Sequence, residues 1–318
     1  MSKYAHQPLD LSRLHTIPIQ ARGGKVHTGD FAEPYQGGGV KAWLDSLPHI
    51  LAADSLRAVA EAIAEARALK KMILWGLGGH VIKCGLAPVL IDLMRRGIVS
   101  AIALNGSGAI HDFEIALIGE TSEDVAAGLR EGTFGMVRET GELFNQGVND
   151  VLERRDAGMG ALLAEQLERV AAPHREYSLL DAGRRLNVPV TVHVAIGTDI
   201  VHMHASANGA ALGLATFNDF RIFAAAVAGM RGGVYLNIGS AVILPEVFLK
   251  AFTIAQNLGA GLRDFVTVNM DMTAHYRPGE NVLRRPAAVG GKSFTLLGRH
   301  EIMVPLLAQA VVEVLGGV

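Results

Sequence analysis

The chain has 318 residues, of which 50% are hydrophobic, so it is long and apolar enough to bury a large core. Its formal net charge of −2 gives no reason to expect binding to nucleic acid. The single cysteine, Cys84, excludes an internal disulfide and predicts a reducing, cytoplasmic location. The N-terminal segment lacks the apolar core of a signal peptide, and charged residues interrupt the most apolar region, 221–262. We therefore expect neither export nor a membrane span.

Residues 1–40 differ from the rest of the chain because they are rich in proline and glycine and show no hydrophobic periodicity. We predict an N-terminal arm that wraps a neighbouring subunit or lies over the body of the protein. Residues 41–318 are predicted to form a single domain. Within it, the segment 41–70 has the apolar spacing of a helix, with Ser55 as its N-cap.

From residue 71 onward, apolar β-branched runs alternate with segments of helical periodicity. The predicted strands are 71–76, 98–105, 188–194, 232–239, 264–271 and 292–298. The predicted helices are 81–97, 113–119, 178–187, 217–231, 245–259 and 301–317, and 121–172 is predicted to be a mostly helical excursion. This alternation predicts an α/β fold with a Rossmann-like, doubly wound, mostly parallel sheet of six strands.

Glycine or polar residues follow every predicted strand. Because ligands of open parallel sheets bind outside the carboxyl ends of the strands, we expect these residues to share one pocket. The glycines let backbone N–H groups approach a phosphate at a helix N-terminus, although a tight turn requires the same residues. We predict a site for NAD or NADP. The residues predicted to hold it are Gly78, Gly79, His80, Asn105, Gly106, Ser107, Gly108, Asp199, Gly239, Ser240, Asp271 and Arg299.

Histidines and aspartates at the same edge are the candidates for proton transfer. Because imidazole titrates near neutral pH, we predict His111 or His202 as a general base, oriented by Asp112 or Asp199. Three charged residues near helix ends either reach the pocket or are simply solvated: Lys83, Glu114 and Glu246.

A metal site is the alternative interpretation of the histidines. His202 and His204 are two positions apart, so both would face one side of an extended segment. The alternative ligand set is His111, His202, His204 and Asp199. Because no compact zinc-binding signature is present, the leading hypothesis has no metal.

Several stretches of the chain resemble deoxyhypusine synthase. MILWGLGGHVIKCGL and IVSAIALNGSGAIHDFEIAL fall where that family has its first two strands and its glycine-rich turn. Later elements of the family resemble RRLNVPVTVHVAIGTD, RIFAAAVAGMRGGVYLNIGSA, FVTVNMD, RPGENV and VPLL. The resemblance spans residues 70–315 and implies the family's fold. It also implies NAD-dependent transfer of an aminobutyl group from spermidine to a protein lysine, in a homotetramer with sites between subunits.

The family's catalytic positions match only in part. Its essential lysine falls at Pro286 in a gap-free register, and Lys292 reaches that position if gaps are allowed. His111 and His202 stand where the family has acidic residues that line its pocket. Arg299 replaces an acidic residue near the cofactor ribose, which favours a 2′-phosphate and hence NADP or rejects NAD. Two acidic positions are matched, by Asp112 and Glu280.

These observations lead to one main hypothesis and three alternatives. The main hypothesis is a deoxyhypusine-synthase-like enzyme that binds NAD(P) and acts on a small amine or amino acid by dehydrogenation and transfer. The alternatives are a metal-assisted hydrolase or lyase, a non-catalytic scaffold, and a true deoxyhypusine synthase that uses Lys292. We expect a homo-oligomer that binds a small molecule and neither nucleic acid nor membrane.

Overall fold

The computed structural model describes residues 6–316. The strands are β1 (Ile73–Leu77), β2 (Ala101–Asn105), β3 (Val190–His193), β4 (Val234–Ile238), β5 (Val266–Asp271) and β6 (Lys292–Leu297). The helices are α1 (Gly39–Ser46), α2 (Leu51–Ala68), α3 (Gly79–Lys83), α4 (Ala87–Arg95), α5 (Gly106–Ile118), α6 (Val125–Glu131), α7 (Arg138–Asn149), α8 (Met159–Arg169), α9 (Leu179–Leu186), α10 (Gly209–Ala228), α11 (Ile243–Asn257), α12 (Tyr276–Pro278), α13 (Arg285–Ala287) and α14 (His300–Val314). A π-helix, Gly279–Arg284, joins α12 to α13. Short 3₁₀ turns lie at Leu11–Arg13, Ile19–Ala21, Thr28–Asp30, Asp150–Leu152, Arg175–Tyr177 and Ile200–Met203.

The six strands form one parallel sheet in the order β3-β2-β1-β4-β5-β6. Every residue of β1, β3 and β4 is buried, as expected for strands covered by helices on both faces. The predicted six-stranded, doubly wound sheet is confirmed. From β1 the chain adds β2 and β3 on one side and then crosses over to add β4, β5 and β6 on the other side. The crevice at the carboxyl ends of β1 and β4 is therefore a topological switch point, where open α/β sheets bind ligands.

Several boundaries differ from the predicted ones. The predicted helix 81–97 is two helices, because Gly85 adopts a left-handed φ of 72° between α3 and α4. Helix α5 begins at Gly106 instead of 113, so the glycine-rich stretch is its first turn. Helix α2 begins at Leu51, and the Ser55 hydroxyl donates back to the Leu51 carbonyl instead of capping the helix. The end of the predicted C-terminal helix, residue 317, lies outside the described residues.

Helix α10 has 20 residues and packs against β3 and α11. Among the described residues, it alone is long and apolar enough to suit a membrane span. However, 44% of its most apolar window is buried inside the protein. Its buried Asn218 and Asp219 also hydrogen-bond to backbone groups, Asn218 to the carbonyls of Arg155 and Ala157. A core helix of a folded domain meets the same criterion.

The segment predicted as an arm is described from residue 6 and leads into α1. Its only regular elements are three single 3₁₀ turns, none of which contains a buried residue. It exposes a series of large apolar side chains: Leu9, Leu11, Leu14, Ile17, Ile19, Val26, Phe31 and Tyr35. Exposed apolar series of this kind are typical of interaction surfaces, and the contact of the arm with a neighbouring subunit stays a prediction.

Candidate functional site

The carboxyl edge of the sheet carries the residues that the sequence predicts to hold a cofactor. Gly78 and Gly79 follow β1, Asn105 ends β2, Gly239 follows β4 and Asp271 ends β5. The other predicted residues follow the same strand ends, β3 or β6: His80, Gly106, Ser107, Gly108, Asp199, Ser240 and Arg299. The fold therefore places the whole predicted set along one edge.

The glycines that end β1 allow the chain to approach itself closely. A Cβ on Gly78 would lie 2.0 Å from the carbonyl oxygen of Gly239, so the loops after β1 and β4 are in contact. A Cβ on Gly79 would lie 2.5 Å from the Ser107 hydroxyl, which brings the starts of α3 and α5 together. These contacts account for both glycines as tight-packing residues, the second of the two interpretations that the sequence allowed.

Gly106, the first residue of α5, lies directly against the carboxylate of Asp199. A Cβ on Gly106 would lie 2.0 Å from Asp199 Oδ2. The N-terminus of α5 thus has a negative charge beside it, as the helix dipole favours, and Asn105 accepts a hydrogen bond from Gly108 N (2.9 Å) as its cap. Asp199 Oδ2 is buried without a hydrogen-bond partner, and burial raises the pKa of Asp199 to about 6.

A cavity of about 240 Å³ opens beside Asp199. Phe134 and Ile200 supply part of its apolar wall. Its polar and charged lining is Lys83, Ser107, His111, Glu114, Ser122, Glu123, Thr198 and Asp199. This cavity is the candidate active site, because it combines an imidazole, an ammonium group and carboxylates at the carboxyl edge of the sheet.

The hydrogen bonds around His111 fix its tautomer. The Thr121 hydroxyl lies 2.5 Å from Glu114 Oε2 and donates to it, since a carboxylate only accepts. That hydroxyl also lies 2.7 Å from His111 Nδ1, so Nδ1 carries the proton and donates to Thr121. Thr140 donates to the other oxygen of Glu114 (3.0 Å), which holds the carboxylate in place. The Nε2 atom of His111 is left as an acceptor.

Lys83 and burial keep His111 neutral. Desolvation, and then the nearby ammonium of Lys83, lower the pKa of His111 to about 4. Lys83 has no ion-pair partner among residues 6–316. His111 is therefore an unprotonated imidazole near neutral pH, with Nε2 able to accept a proton or a hydrogen bond.

Asp112 does not orient His111, contrary to the expectation from sequence. Its carboxylate accepts hydrogen bonds from the Ser178 hydroxyl (2.6 Å) and from the backbone N–H groups of Leu179 and Leu180. This residue of α5 is fully buried against the start of α9, and burial raises its pKa to about 6. Asp112 ties α5 to α9 and does not line the cavity.

The alternative metal site is wrong for the described residues, which contain no group of three or more His, Cys, Asp or Glu side chains able to hold a metal ion. His202 lies in the 3₁₀ turn Ile200–Met203 and His204 is the residue that caps this turn, so the two do not share one extended segment. His202 Nδ1 accepts from the N–H groups of Gly197 and Asp199. Its Nε2 therefore carries the proton, and that atom is buried without a partner.

His204 is committed to a structural contact. Its Nε2 lies 2.8 Å from the carbonyl oxygen of Gly135 and donates to it. Its ring packs against Gly141, where a Cβ would lie 2.2 Å from Nδ1. His204 thus joins the end of the 3₁₀ turn to α7, away from the cavity lining.

Lys292 lies at the amino ends of the strands, whereas the cavity lies at their carboxyl ends. It is the first residue of β6 and pairs with Val266 at the amino end of β5. Five residue steps of about 3.3 Å separate it from Leu297 at the carboxyl end of the strand. Lys292 therefore cannot act in this cavity, and Pro286, which occupies the gap-free position of the lysine, is a buried residue of α13.

A second cluster of polar residues lies at the carboxyl ends of β4 and β5. Asn237 donates to Asn269 Oδ1 (2.8 Å), and its own Oδ1 is buried without a partner. His300, the first residue of α14, is fully buried, and both of its ring nitrogens lack a hydrogen-bond partner. Asp271 lies 3.9 Å from His300 Nε2, and the neighbouring Arg299 donates only to Met272 Sδ. These unpartnered groups lie at the carboxyl ends of β4 and β5, next to the topological switch point between β1 and β4.

Among the polar residues that act at the candidate site, sequence reasoning missed Thr121 and Glu123 and left two others open. Thr121 and Glu123 follow α5 and belong to no strand end, so no local pattern indicated them. Lys83 and Glu114 reach the cavity, one of the two possibilities considered for them. Glu246 lies instead near Asn281, to whose amide Nδ2 it accepts a hydrogen bond (2.9 Å).

No protein-family model and no curated protein matches the sequence. The fold is similar to that of AgrE in its ternary complex with ornithine and NAD⁺, with a TM-score of 0.55 and 15% identity over 81% of this chain and 32% of AgrE. It is also similar to a protein of Entamoeba histolytica assigned as a deoxyhypusine synthase, with a TM-score of 0.53 and 12% identity over 88% of this chain and 95% of that one.

A third similar structure is a protein of Methanococcus maripaludis S2 assigned as LOR/SDH, with a TM-score of 0.51 and 15% identity over 83% of this chain and 71% of that one. The chain spans about a third of the length of AgrE and of the arginine dihydrolase ArgZ. At these identities the similarity establishes the fold that these proteins share. The deoxyhypusine-synthase-like fold that the sequence implies is supported.

Proposed function

We propose that this protein is a NAD(P)-dependent enzyme that acts on a small amine or amino acid by dehydrogenation, with or without transfer of the resulting group. The observation that carries the proposal is the neutral His111, whose Nε2 is an acceptor beside Lys83 in a cavity at the carboxyl edge of a Rossmann-like sheet. A similar fold in AgrE accompanies NAD⁺ and ornithine, which are ligands of the same classes.

The residues beyond β4 and β5 fit a dinucleotide. Asn237 and His300 offer buried polar atoms without partners, and the carboxylate of Asp271 can accept hydrogen bonds from ribose hydroxyls. Within residues 6–316 Arg299 has no carboxylate partner, so its guanidinium is free to bind a phosphate. The cavity around His111 is too small to hold the whole cofactor and suits the substrate and the reacting end.

The chemistry assigned to the chain's own residues is positioning and proton transfer. A bound NAD(P)⁺ supplies the hydride acceptor for oxidation of the carbon that bears the amino group. His111 Nε2 accepts the proton that the nitrogen loses as the C–N bond becomes an imine. Thr121 and Glu114 hold the imidazole in the required tautomer, and burial, together with the nearby Lys83, keeps it unprotonated before the reaction.

Thermal unfolding with NAD⁺, NADP⁺ or neither tests the proposed cofactor. A ligand at 100 times its dissociation constant stabilises the folded state by about 2.7 kcal/mol, which raises the melting temperature by several degrees. We expect a rise with at least one dinucleotide. No rise with either at millimolar concentration would contradict the proposal, and His300→Ala, which retains the cavity around His111, should weaken the dinucleotide response.

A further inference from the structure

The cavity beside Asp199 contains charges that the fold leaves unpaired. Glu123 accepts a hydrogen bond from Gly135 N (3.0 Å), and neither Glu123 nor Asp199 has an ion-pair partner among the described residues. Lys83 likewise has none. Taking a charge out of water is costly unless an opposite charge compensates it. Lys83 is exposed in the free protein, whereas Glu123 and Asp199 are partly buried, so a ligand that closes over the cavity takes all three charges out of water. Such a ligand binds best when it carries an anionic group for Lys83 and cationic groups for the carboxylates.

We infer that the substrate is a basic α-amino acid, with one carboxylate and two amino groups, and that Lys83 holds its carboxylate. This inference rests on the proposed function and names the substrate class of the same cavity. Asp199 and Glu123 supply the two negative charges that match the amino groups. Glu114 is less available, because both of its oxygens already accept hydrogen bonds from Thr121 and Thr140.

Lys83 is the residue that separates this substrate class from the polyamines. A polyamine carries only cationic groups, so the carboxylates would attract it but the ammonium of Lys83 would repel it. An α-amino acid neutralises Lys83 as well as the carboxylates. The cavity, at about 240 Å³, also suits a compact metabolite, since it lies below the range of about 300–1,000 Å³ typical of larger ligands.

The test compares ornithine with two analogues that each lack one group. Putrescine is ornithine without the carboxylate, and norvaline is ornithine without the side-chain amino group. Titration calorimetry is carried out on the full chain, alone and with saturating NAD⁺ or NADP⁺. Because a charge-assisted contact contributes about one to two powers of ten in affinity, we expect ornithine to bind about 10- to 100-fold more tightly than either analogue.

The variant Lys83→Met isolates the carboxylate contact. It should remove the preference of ornithine over putrescine and retain the preference over norvaline. Lys70→Met is the matched control, since Lys70 is exposed just before β1 at the other edge of the sheet, and it should behave as the wild type. Thermal unfolding confirms that each variant is folded.

The outcomes separate this inference from the proposed function. Equal binding of putrescine and ornithine to the wild type, or a preference that survives Lys83→Met, would overturn the inference and indicate an amine substrate or another carboxylate contact. Dinucleotide binding without any ornithine binding would overturn the inference and leave the proposed function standing. If no dinucleotide binds, the proposed function fails whatever the amino acids do.

Discussion

The contact between Gly106 and Asp199 yields a sharp prediction, because a single methyl group placed there must displace a charged group of the candidate site. A Cβ at position 106 would lie 2.0 Å from Asp199 Oδ2, whereas ordinary contact begins at 3.4 Å. The carboxylate, or the turn that carries it, must therefore move by about 1.4 Å. Overpacking of this kind costs about 1–3 kcal/mol.

The assay for Gly106→Ala is thermal unfolding together with ornithine titration. The steric cost corresponds to a fall in melting temperature of roughly 2–8 °C. Displacement of Asp199 from the cavity should also lower ornithine affinity more than tenfold, as misplacement of a polar contact by about 1 Å does. Gly213→Ala is the control, since nothing lies within 4 Å of a Cβ there and the residue is inside α10. It should gain about 0.5–1 kcal/mol.

A double variant separates the steric cost from other effects of the alanine. Asp199→Ala removes the carboxylate that the methyl group would strike. The stability loss of Gly106→Ala together with Asp199→Ala should therefore be smaller than the sum of the two single losses by at least about 1 kcal/mol. Additive losses, or a Gly106→Ala variant that melts and binds as the wild type does, would refute this reasoning.

Three further predictions concern proton transfer, pH and assembly. Because His111 has a pKa of about 4, kcat/KM should show no imidazole titration between pH 6 and 8, and a titration in that interval would contradict the assignment. Thr121→Val removes the hydroxyl that accepts from His111 Nδ1, so it should lower kcat more than it raises KM. Burial raises the pKa of Asp219 to about 7, well above that of a free aspartate, so the folded state binds this proton more tightly than the unfolded chain does. The resulting contribution to stability is complete below about pH 4, the ordinary pKa of aspartate, and is lost as pH rises through 7. The Asp219 carboxyl contributes about 4 kcal/mol in this way, and Asp219→Asn should flatten the decline in the free energy of unfolding between about pH 4 and 7, measured by urea unfolding; an unchanged slope would show that other groups cause the decline. Deletion of residues 1–36 should lower the mass measured by light scattering, because the exposed apolar arm is expected to cover a second subunit; an unchanged mass would separate the arm from assembly.

Composition and periodicity were sufficient to predict the fold. Strands such as Ile73–Leu77 and Val234–Ile238 are continuous apolar runs, because helices cover them on both faces, and that burial is recorded in the residue types themselves. The position of the polar residues after each strand followed in turn, since parallel strands bring their carboxyl ends to one edge. Boundaries were less predictable where glycine was ambiguous, as at Gly85, which breaks a helix, and Gly106, which begins one.

The roles of individual polar residues were decided by tertiary structure. His111 and Asp112 are adjacent on α5, and successive residues of a helix point about 100° apart. One therefore lines the cavity and the other lies buried against α9. The sequence made both residues equally plausible members of the site, but in the fold one faces the cavity and the other is bound to α9. Lys292 was suggested by the family resemblance alone, because it begins its predicted strand whereas ligands of parallel sheets bind at the carboxyl ends, and the structure places it at that amino end.

The sequence by itself determined the six strands, the helices between most of them and the edge where a ligand belongs, because local burial periodicity and chain direction set all of these. Only the tertiary structure decided that Thr121, Glu114 and Lys83 surround His111, and that the carboxylate of Asp199 lies against Gly106. These contacts join segments separated along the chain, so no local pattern encodes them. The protonation state of the imidazole, on which the proposed chemistry depends, follows from those contacts.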